Sequence, residues 1–311
     1  MTEPKILNIF FLNVGHGDSA FIILPNEARM MIDCGGSQNW ASKLLKHNGI
    51  TKKKSPNKWG FALDKLVISH PHGDHISDII SMHDDIGFKW LTGNYREFID
   101  NIDSKNIDWR KRNSDAVKKF ITVGKKYKGE YKEENDNVAA SNPPCIVKSK
   151  RFLPTFEKGM DLNELSFFTS FEIGGHKILF TGDMTAEGVK KILKSSKADD
   201  FKLFVKGTTI LKVPHHGREN GCSEEMFNAF KQKPLLCVVS DKILDETNEG
   251  TSNIAWYEDR TSDQKIMIDG KLQSRLVLTT RKDKDIFISI SDKGNLDVKT
   301  NYFSELRKEI L

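Results

Sequence analysis

Six consecutive residues, His70-Pro71-His72-Gly73-Asp74-His75, put three imidazoles and one carboxylate into a single short loop. Imidazole nitrogens and carboxylate oxygens are the donors that suit Zn²⁺ and its first-row neighbours. Four of them exceed what one tetrahedral ion would take while keeping a position open for substrate. Histidine is sparse in this chain, nine in 311 residues, so a chance cluster explains the loop poorly. In near-extended backbone His70 and His72 point to one side, while the Asp74-His75 step at a helix start turns toward another. The spacing therefore predicts two ions. Further donors are at hand in Asp183 of HKILFTGD and in His215-His216 of LKVPHHG, each following an apolar run. A carboxylate such as Asp183 can bridge two ions roughly 3.5–4 Å apart. Either His215 or His216 can complete the set, and the sequence does not choose between them.

The chemistry of such a centre is hydrolysis. A divalent ion lowers the pKa of bound water from about 15.7 toward about 7, which supplies hydroxide at neutral pH to attack phosphorus or carbonyl carbon. Asp74 is placed to orient that nucleophile, and His215 or His216 to assist the leaving group, so these three are the catalytic candidates. Phosphodiesters, β-lactams and thioesters all suit this mechanism.

The elements that must position these residues read as strand, polar loop, helix. Residues 5–14, 19–24 and 28–33 are apolar runs separated by glycines and predict strands. Residues 41–47 predict a helix. The run 64–69 predicts a strand feeding HPHGDH, after which Ile76, Ile79 and Ile80 recur at helical spacing. Thr185 can cap a helix carrying Val189, Ile192 and Leu193, and a further helix is predicted around 224–230. SRLVLTT, DIFISIS and NLDVKT read as closing strands. Residues 94–160 differ, being polar, lysine-rich and weakly periodic, and read as an insertion or lid on a single domain spanning 1–311. Between Asn94 and Lys132 lie eleven basic residues against six acidic ones, with Trp109, Phe120, Tyr127 and Tyr131 interleaved. Basic side chains with aromatic platforms suit a single-stranded nucleic acid; a solvated insertion with packing aromatics would look the same.

Bulk composition sets wide bounds. With 38% hydrophobic and 29% charged residues the chain is globular rather than disordered. A net charge of +5 permits a polyanionic partner without requiring one. Cys34, Cys145, Cys222 and Cys237 are far apart, which excludes a C-x-x-C zinc site and favours a reducing compartment. The N-terminal residues are broken by Asn, His and Asp before a signal-peptide core could form, and no run approaches the ~20 apolar residues of a membrane span. The expectation is a cytoplasmic protein with no membrane partner.

The order HxHxDH, TGD, VPHHG resembles the metallo-β-lactamase superfamily, and NVGHGDS, IDCGG and NELSFF resemble its competence-protein branch, also seen in phosphorylcholine esterases. The resemblance covers residues 5–90 and 160–240. It implies an αββα sandwich of two mixed β-sheets with helices on the outer faces and metals at one edge. It also implies two divalent ions, Zn²⁺ or Mn²⁺. By carry-over His70 and His72 hold one ion, Asp74 and His75 the other, Asp183 bridges them, and one of His215 and His216 completes the second site. Several members place a further histidine before the TGD motif, where this chain offers Asn163 and Ser166. That leaves the first site short of a protein ligand and makes Mn²⁺ plausible. Asp18 and Asp33 fall where carboxylates would orient the metal-bound imidazoles. His16 stands where the branch often has Gln, as a ligand, a substrate contact or a turn residue. Arg218 replaces the branch's serine and would contact a phosphate or form a surface ion pair. The functional expectation is a metal-dependent phosphodiesterase or nuclease. A small phosphoester or cyclic nucleotide as substrate, or a partner-dependent subunit without catalysis of its own, is the alternative.

Overall fold

Strand alternation decides what each sheet buries. In β1 (Ile6–Phe11) Leu7, Ile9 and Phe11 face one side and Phe10 the other; in β2 (Ser19–Ile23) Ala20 and Ile22 face the first side and Phe21 the second. β3 (Arg29–Cys34) repeats the pattern with Met30 and Ile32 against Met31. The computed structural model describes residues 5–54, 61–93, 115–127, 148–152, 154, 161–241 and 253–310.

These strands join β4 (Leu63–Ile68) and β5 (Phe88–Gly93) in one sheet that also takes β11 (Ile266–Ile268), β12 (Lys271–Gln273), β14 (Ile286–Ser291) and β15 (Leu296–Lys299). Its order is β12-β11-β15-β14-β1-β2-β3-β4-β5, antiparallel from β14 to β3 and parallel from β3 to β5. The second sheet contains β6 (Lys148–Phe152), β7 (Phe168–Ile173), β8 (His176–Phe180), β9 (Ile210–Lys212), β10 (Leu236–Val239) and β13 (Val277–Thr279). Its order is β13-β10-β9-β8-β7-β6, with β6, β7 and β8 antiparallel and β8, β9, β10 and β13 parallel.

Three apolar clusters show the layering. The middle one joins Leu7, Ile9, Phe11, Ile22 and Ile288 of the first sheet to Phe171, Ile178, Phe180, Ile210 and Val238 of the second. Such side chains each contribute on the order of 2 kcal/mol by leaving water, so this interlayer is the principal glue. The outer face of the first sheet is covered by the helix Trp40–His47, through Trp40, Leu44 and Leu45, and the outer face of the second by Val189, Ile192, Phe201, Val205, Met226 and Phe230. The arrangement is the αββα sandwich of two mixed sheets. The closing segments divide between the layers: SRLVLTT enters the second sheet as β13, whereas DIFISIS and NLDVKT enter the first as β14 and β15.

The stretch 94–160 is not wholly an insertion. Lys148–Phe152 pairs with β7 as a sheet strand, and the helix Asp115–Gly124 buries Val117, Phe120 and Val123 in the first outer layer. Phe120 is 2% exposed, and Tyr127 stacks on Phe88 at 4.8 Å with its hydroxyl donating to the Phe88 carbonyl. Neither ring is therefore presented as a platform for bases. Trp109 and Tyr131 lie outside the described residues, as do the basic positions other than Lys118, Lys119, Lys125 and Lys126.

Two close approaches fix the edge where the sheets' parallel strands end. A Cβ at Gly35 would lie 1.5 Å from the Asp74 carbonyl oxygen, and one at Gly182 would lie 2.8 Å from Ser69 Cβ, with Gly182 also at φ +54°. Gly35→Ala is expected to lower stability by about 1–3 kcal/mol or more, because the loop bearing Asp74 must move away. Thermal unfolding measures this; an unchanged midpoint would show that the loop is free to move.

Candidate metal centre

Each candidate ligand sits just beyond the C-terminal end of a strand. β3 ends at Asp33-Cys34, β4 is followed by Ser69 and His70, β8 by Thr181-Gly182-Asp183, and β9 by Val213-Pro214-His215-His216. His72 precedes the short helix Gly73–Ile76, which carries Asp74 and His75. Backbone bonds lash the loops together: Asp18 N–H donates to the Asp74 carbonyl (3.1 Å), Phe167 N–H to Ser69 (2.9 Å) and His215 N–H to Gly182 (3.3 Å). The Asp183 N–H donates to Ser166 Oγ at 2.9 Å.

The side chains converge on one oxygen. Asp183 Oδ2 lies 3.3 Å from His75 Nε2, 3.5 Å from His216 Nε2, 3.9 Å from His70 Nε2 and 4.0 Å from His215 Nε2. Asp74 Oδ2 lies 3.1 Å from His216 Nε2 and 3.3 Å from His16 Nε2, and His70 Nε2 lies 3.0 Å from His72 Nδ1. Two donors each ~2.0–2.2 Å from one tetrahedral ion stand roughly 3.3–3.5 Å apart. In the group Asp74, His75, Asp183 and His216, whose donor atoms all fall within 4.8 Å of one another, the His75–Asp183, His216–Asp183 and His216–Asp74 separations of 3.3, 3.5 and 3.1 Å lie near that spacing. His75 Nε2, Asp183 Oδ1 and His215 Nδ1 are buried without a hydrogen-bond partner, which protein interiors rarely tolerate. The donor set fits divalent metal.

Two of the imidazoles are aimed from behind. His75 Nδ1 donates to Asp33 Oδ2 (2.8 Å), and Asp33 is itself held by Ser69 N–H on Oδ1 and Ser69 Oγ–H on Oδ2, both at 2.7 Å. His216 Nδ1 lies 2.9 Å from the Ser240 carbonyl, which only accepts, so Nδ1 carries the proton and Nε2 faces Asp74 and Asp183. The two rings of the pair that the sequence left open are placed differently. His216 enters the cluster, whereas His215 stands at its margin. Both hold left-handed backbone, φ 47° and 54°, as does Gly217 at 74°. For the two histidines this costs on the order of 1–3 kcal/mol each, strain that collects at functional sites.

Electrostatics follow from burial and company. Burial disfavours charge on Asp183, but His75 and His216 outweigh it and hold the carboxyl well below its usual range. Burial likewise opposes a proton on His75, yet Asp183 and Asp33 raise its pKa well above the usual value. His216 is raised to about 9, the Asp183 charge and the Asp74 hydrogen bond overcoming burial. Burial first, then His75 and His72, push His70 well below its usual value, which leaves it neutral.

The cluster floors a cavity of about 170 Å³ lined by Pro71, Val117 and Leu162 on an apolar side and by His16, His72, Asp74, Asp183, His215, His216 and Arg218 on a polar one. His16 and Arg218 thus reach the cavity. Asn163 does not: its short 3₁₀ turn, Leu162–Leu165, buries Asn163 to 4% exposure and presents Leu162 instead. Asp18 lies beneath, 4.0 Å from His75 Nδ1 and 2.7 Å from Lys212 Nζ. Ser69 and Lys212 were not singled out in the sequence. Ser69 abuts the histidine motif, and Lys212 is a charge at the inward parity of Ile210 in an apolar strand, so both carried a signal.

Residues 12–111 match the family model of the metallo-β-lactamase superfamily. None of the curated proteins matches the sequence. A candidate metallo-β-lactamase of Thermotoga maritima is similar at 13% identity, covering 66% of this chain and 94% of its own, with TM-score 0.38. A metallo-β-lactamase of Cronobacter sakazakii with a mutated HARLDQ motif gives 9% identity, 74% and 75% coverage and TM-score 0.36. A long-form RNase Z from yeast gives 13% identity, 80% and 40% coverage and TM-score 0.36. Likenesses of this depth identify no substrate. Among the described residues no helix is long and apolar enough to cross a membrane.

Protons and metal compete for His75 and His216. Both pKa values are raised in the fold, so their protons stabilise the metal-free chain fully below about pH 6.5, and that stabilisation is lost as pH rises through about 9 for His216. Metal uptake at pH 7 should therefore release protons, and affinity should rise toward pH 9. Calorimetric titration in buffers of different ionisation enthalpy reads the release; none, with affinity flat in pH, would contradict this charge distribution.

Proposed function

We propose that the chain is a metal-dependent phosphodiesterase whose reacting phosphate enters the cavity between Arg218, His16 and the Asp183 cluster. The observation that carries this reading is the approach of four imidazole nitrogens to within 4.0 Å of Asp183 Oδ2, at a cavity that Arg218 also lines. On this reading Asp74, His75, Asp183 and His216 hold one ion, and His70, His72 and Asp183 the other. Bound divalent ions supply Lewis acidity and lower the pKa of water. The residues do the rest. Asp74, with its side chain 22% exposed, faces the cavity from the cluster and orients the attacking oxygen. His215, whose pKa burial lowers, would act in its protonated form, giving the Nε2 proton to the departing oxygen, and Arg218 pairs with a non-bridging phosphate oxygen. The competence-protein likeness of NVGHGDS and IDCGG, and Mn²⁺ alongside Zn²⁺ as working metal, belong to the same proposal.

At about 170 Å³ the cavity admits a phosphate group rather than a whole nucleotide, since sites that enclose drug-sized ligands span ~300–1,000 Å³. A polymer would therefore lie across the mouth, beside the helix Asp115–Gly124, whose Val117 lines the cavity and whose Lys118 and Lys119 are exposed. The small cavity equally favours the second reading, a small phosphoester.

Three variants test these roles. His216→Ala should lose an ion and all turnover of bis(p-nitrophenyl) phosphate. His215→Ala should keep its metal by elemental analysis and lose about 10²–10⁴-fold in kcat, the range of one acid–base group. Replacing Lys118, Lys119, Lys125 and Lys126 together should spare the small ester but weaken long nucleic acids and flatten their salt dependence. Full metal occupancy without cleavage of any phosphodiester under Zn²⁺ or Mn²⁺ would refute the reaction class. A lysine variant unchanged on nucleic acid would leave the small phosphoester as substrate.

A further inference from the structure

Beneath the cluster lies a charge that the proposed reaction does not use. Lys212 is 4% exposed, although lysine is seldom buried without a partner. Two residues earlier on the same strand, Ile210 packs into the apolar interlayer, so an aliphatic side chain would be the ordinary occupant here. Instead Nζ reaches across to the other sheet, 2.7 Å from Asp18 Oδ2, and donates to the Val213 carbonyl at 3.0 Å. Asp18 is 5% exposed. A buried ion pair of this kind adds little stability compared with well-packed apolar residues of similar volume, so its presence calls for another reason.

The reason lies in what each partner touches. Asp18 Oδ2 is 4.0 Å from His75 Nδ1, the same nitrogen that Asp33 Oδ2 engages at 2.8 Å. Two carboxylates thus face one N–H, and Asp18, Asp33 and His75 together form a second set of metal-type donors within 4.8 Å. The ammonium of Lys212 occupies Asp18 and leaves Asp33 alone on His75. Asp18 also sets the Asp74 loop, through its N–H to the Asp74 carbonyl, and β9, which carries Lys212, runs directly into His215-His216. We propose that Lys212 is a positioning residue, a fixed internal cation that sequesters Asp18 and thereby fixes the orientation of His75 and the spacing between the Asp74 and His216 loops. This rests on the metal-centre reading above.

Cobalt(II) reports the arrangement without any substrate. The wild-type chain and Lys212→Met are each loaded with Co²⁺; affinity, visible spectrum and thermal unfolding are recorded, with turnover of bis(p-nitrophenyl) phosphate measured alongside. Lys212→Met should remain folded and bind Co²⁺ about 10–100-fold more weakly, as expected when a partner behind a ligand is lost. Its ligand-field bands should shift, and Lys212→Arg should recover part of both. In Asp18→Asn/Lys212→Met the loss should be smaller than the sum of the two single losses, since both act through one contact. If Lys212→Met unfolds, Asp18→Asn carries the test, with weakened affinity and shifted bands again expected. Wild-type affinity and spectrum in the folded variant, with only the melting temperature changed, would overturn the proposal and make the pair purely structural. Failure of the wild-type chain to bind Co²⁺ would instead overturn the metal-centre reading itself.

Discussion

A buried carboxylate facing several imidazoles is the constraint around which this fold is arranged. Asp183 is 2% exposed, and four histidine Nε2 atoms stand within 4.0 Å of its Oδ2. Burial alone would force a carboxyl to stay protonated, and burial alone would strip protons from His75 and His216. Together each reverses the other's shift, so the cluster is a charged unit that no member could form singly. The histidines arrive from the first sheet on the 69–75 loop and from the second on the 213–217 loop, so the unit exists only when the sheets are stacked in one register.

That dependence explains the tight backbone at the edge. Gly35 and Gly182 are sites where a side chain would collide with the neighbouring loop, at Asp74 and at Ser69 respectively. Asp33, at φ 57°, bends its strand end so that one carboxylate takes both Ser69 and His75. The left-handed run at His215 and His216 is held by Gly217 N–H on the Pro214 carbonyl, Asn253 N–H on the Gly217 carbonyl and His216 on Ser240. Strain accepted in the turn is offset by contacts from elements far away in sequence, which is why the motif needs a whole domain beneath it.

Much of this was legible in the sequence, for identifiable reasons. Glycine-bounded apolar runs around Ile9, Ile22 and Ile32, and polar loops after apolar runs, are local signals that tertiary packing did not override. The cap at Thr185, accepting from Gly188 N–H, is likewise local. Within 94–160, the lysine-rich β6 resembles a loop in composition even though its backbone pairs with β7 in the sheet. Phe120 and Tyr127 look like exposed platforms in sequence because their partners, such as Phe88, are far from them along the chain. Asn163 stands where several members of the superfamily place a histidine, and its turn presents Leu162 to the cavity.

The choice between His215 and His216 shows what geometry adds to a motif. Adjacent residues in an HH pair carry identical chemistry, and spacing cannot separate them. The separation comes from the ring nitrogen that points away from the cluster. His216 Nδ1 meets a carbonyl from the neighbouring parallel strand's end, which fixes the tautomer and leaves Nε2 as the free donor, whereas His215 Nδ1 meets no partner among the described residues. An imidazole held from behind keeps its lone pair aimed, whereas the His215 ring, beside the Asn220 side chain, has no such carbonyl behind its Nδ1. The first suits a ligand, whose direction must not change between turnovers. The hydrogen bond to Ser240 is thus what distinguishes two chemically identical rings in one HHG turn.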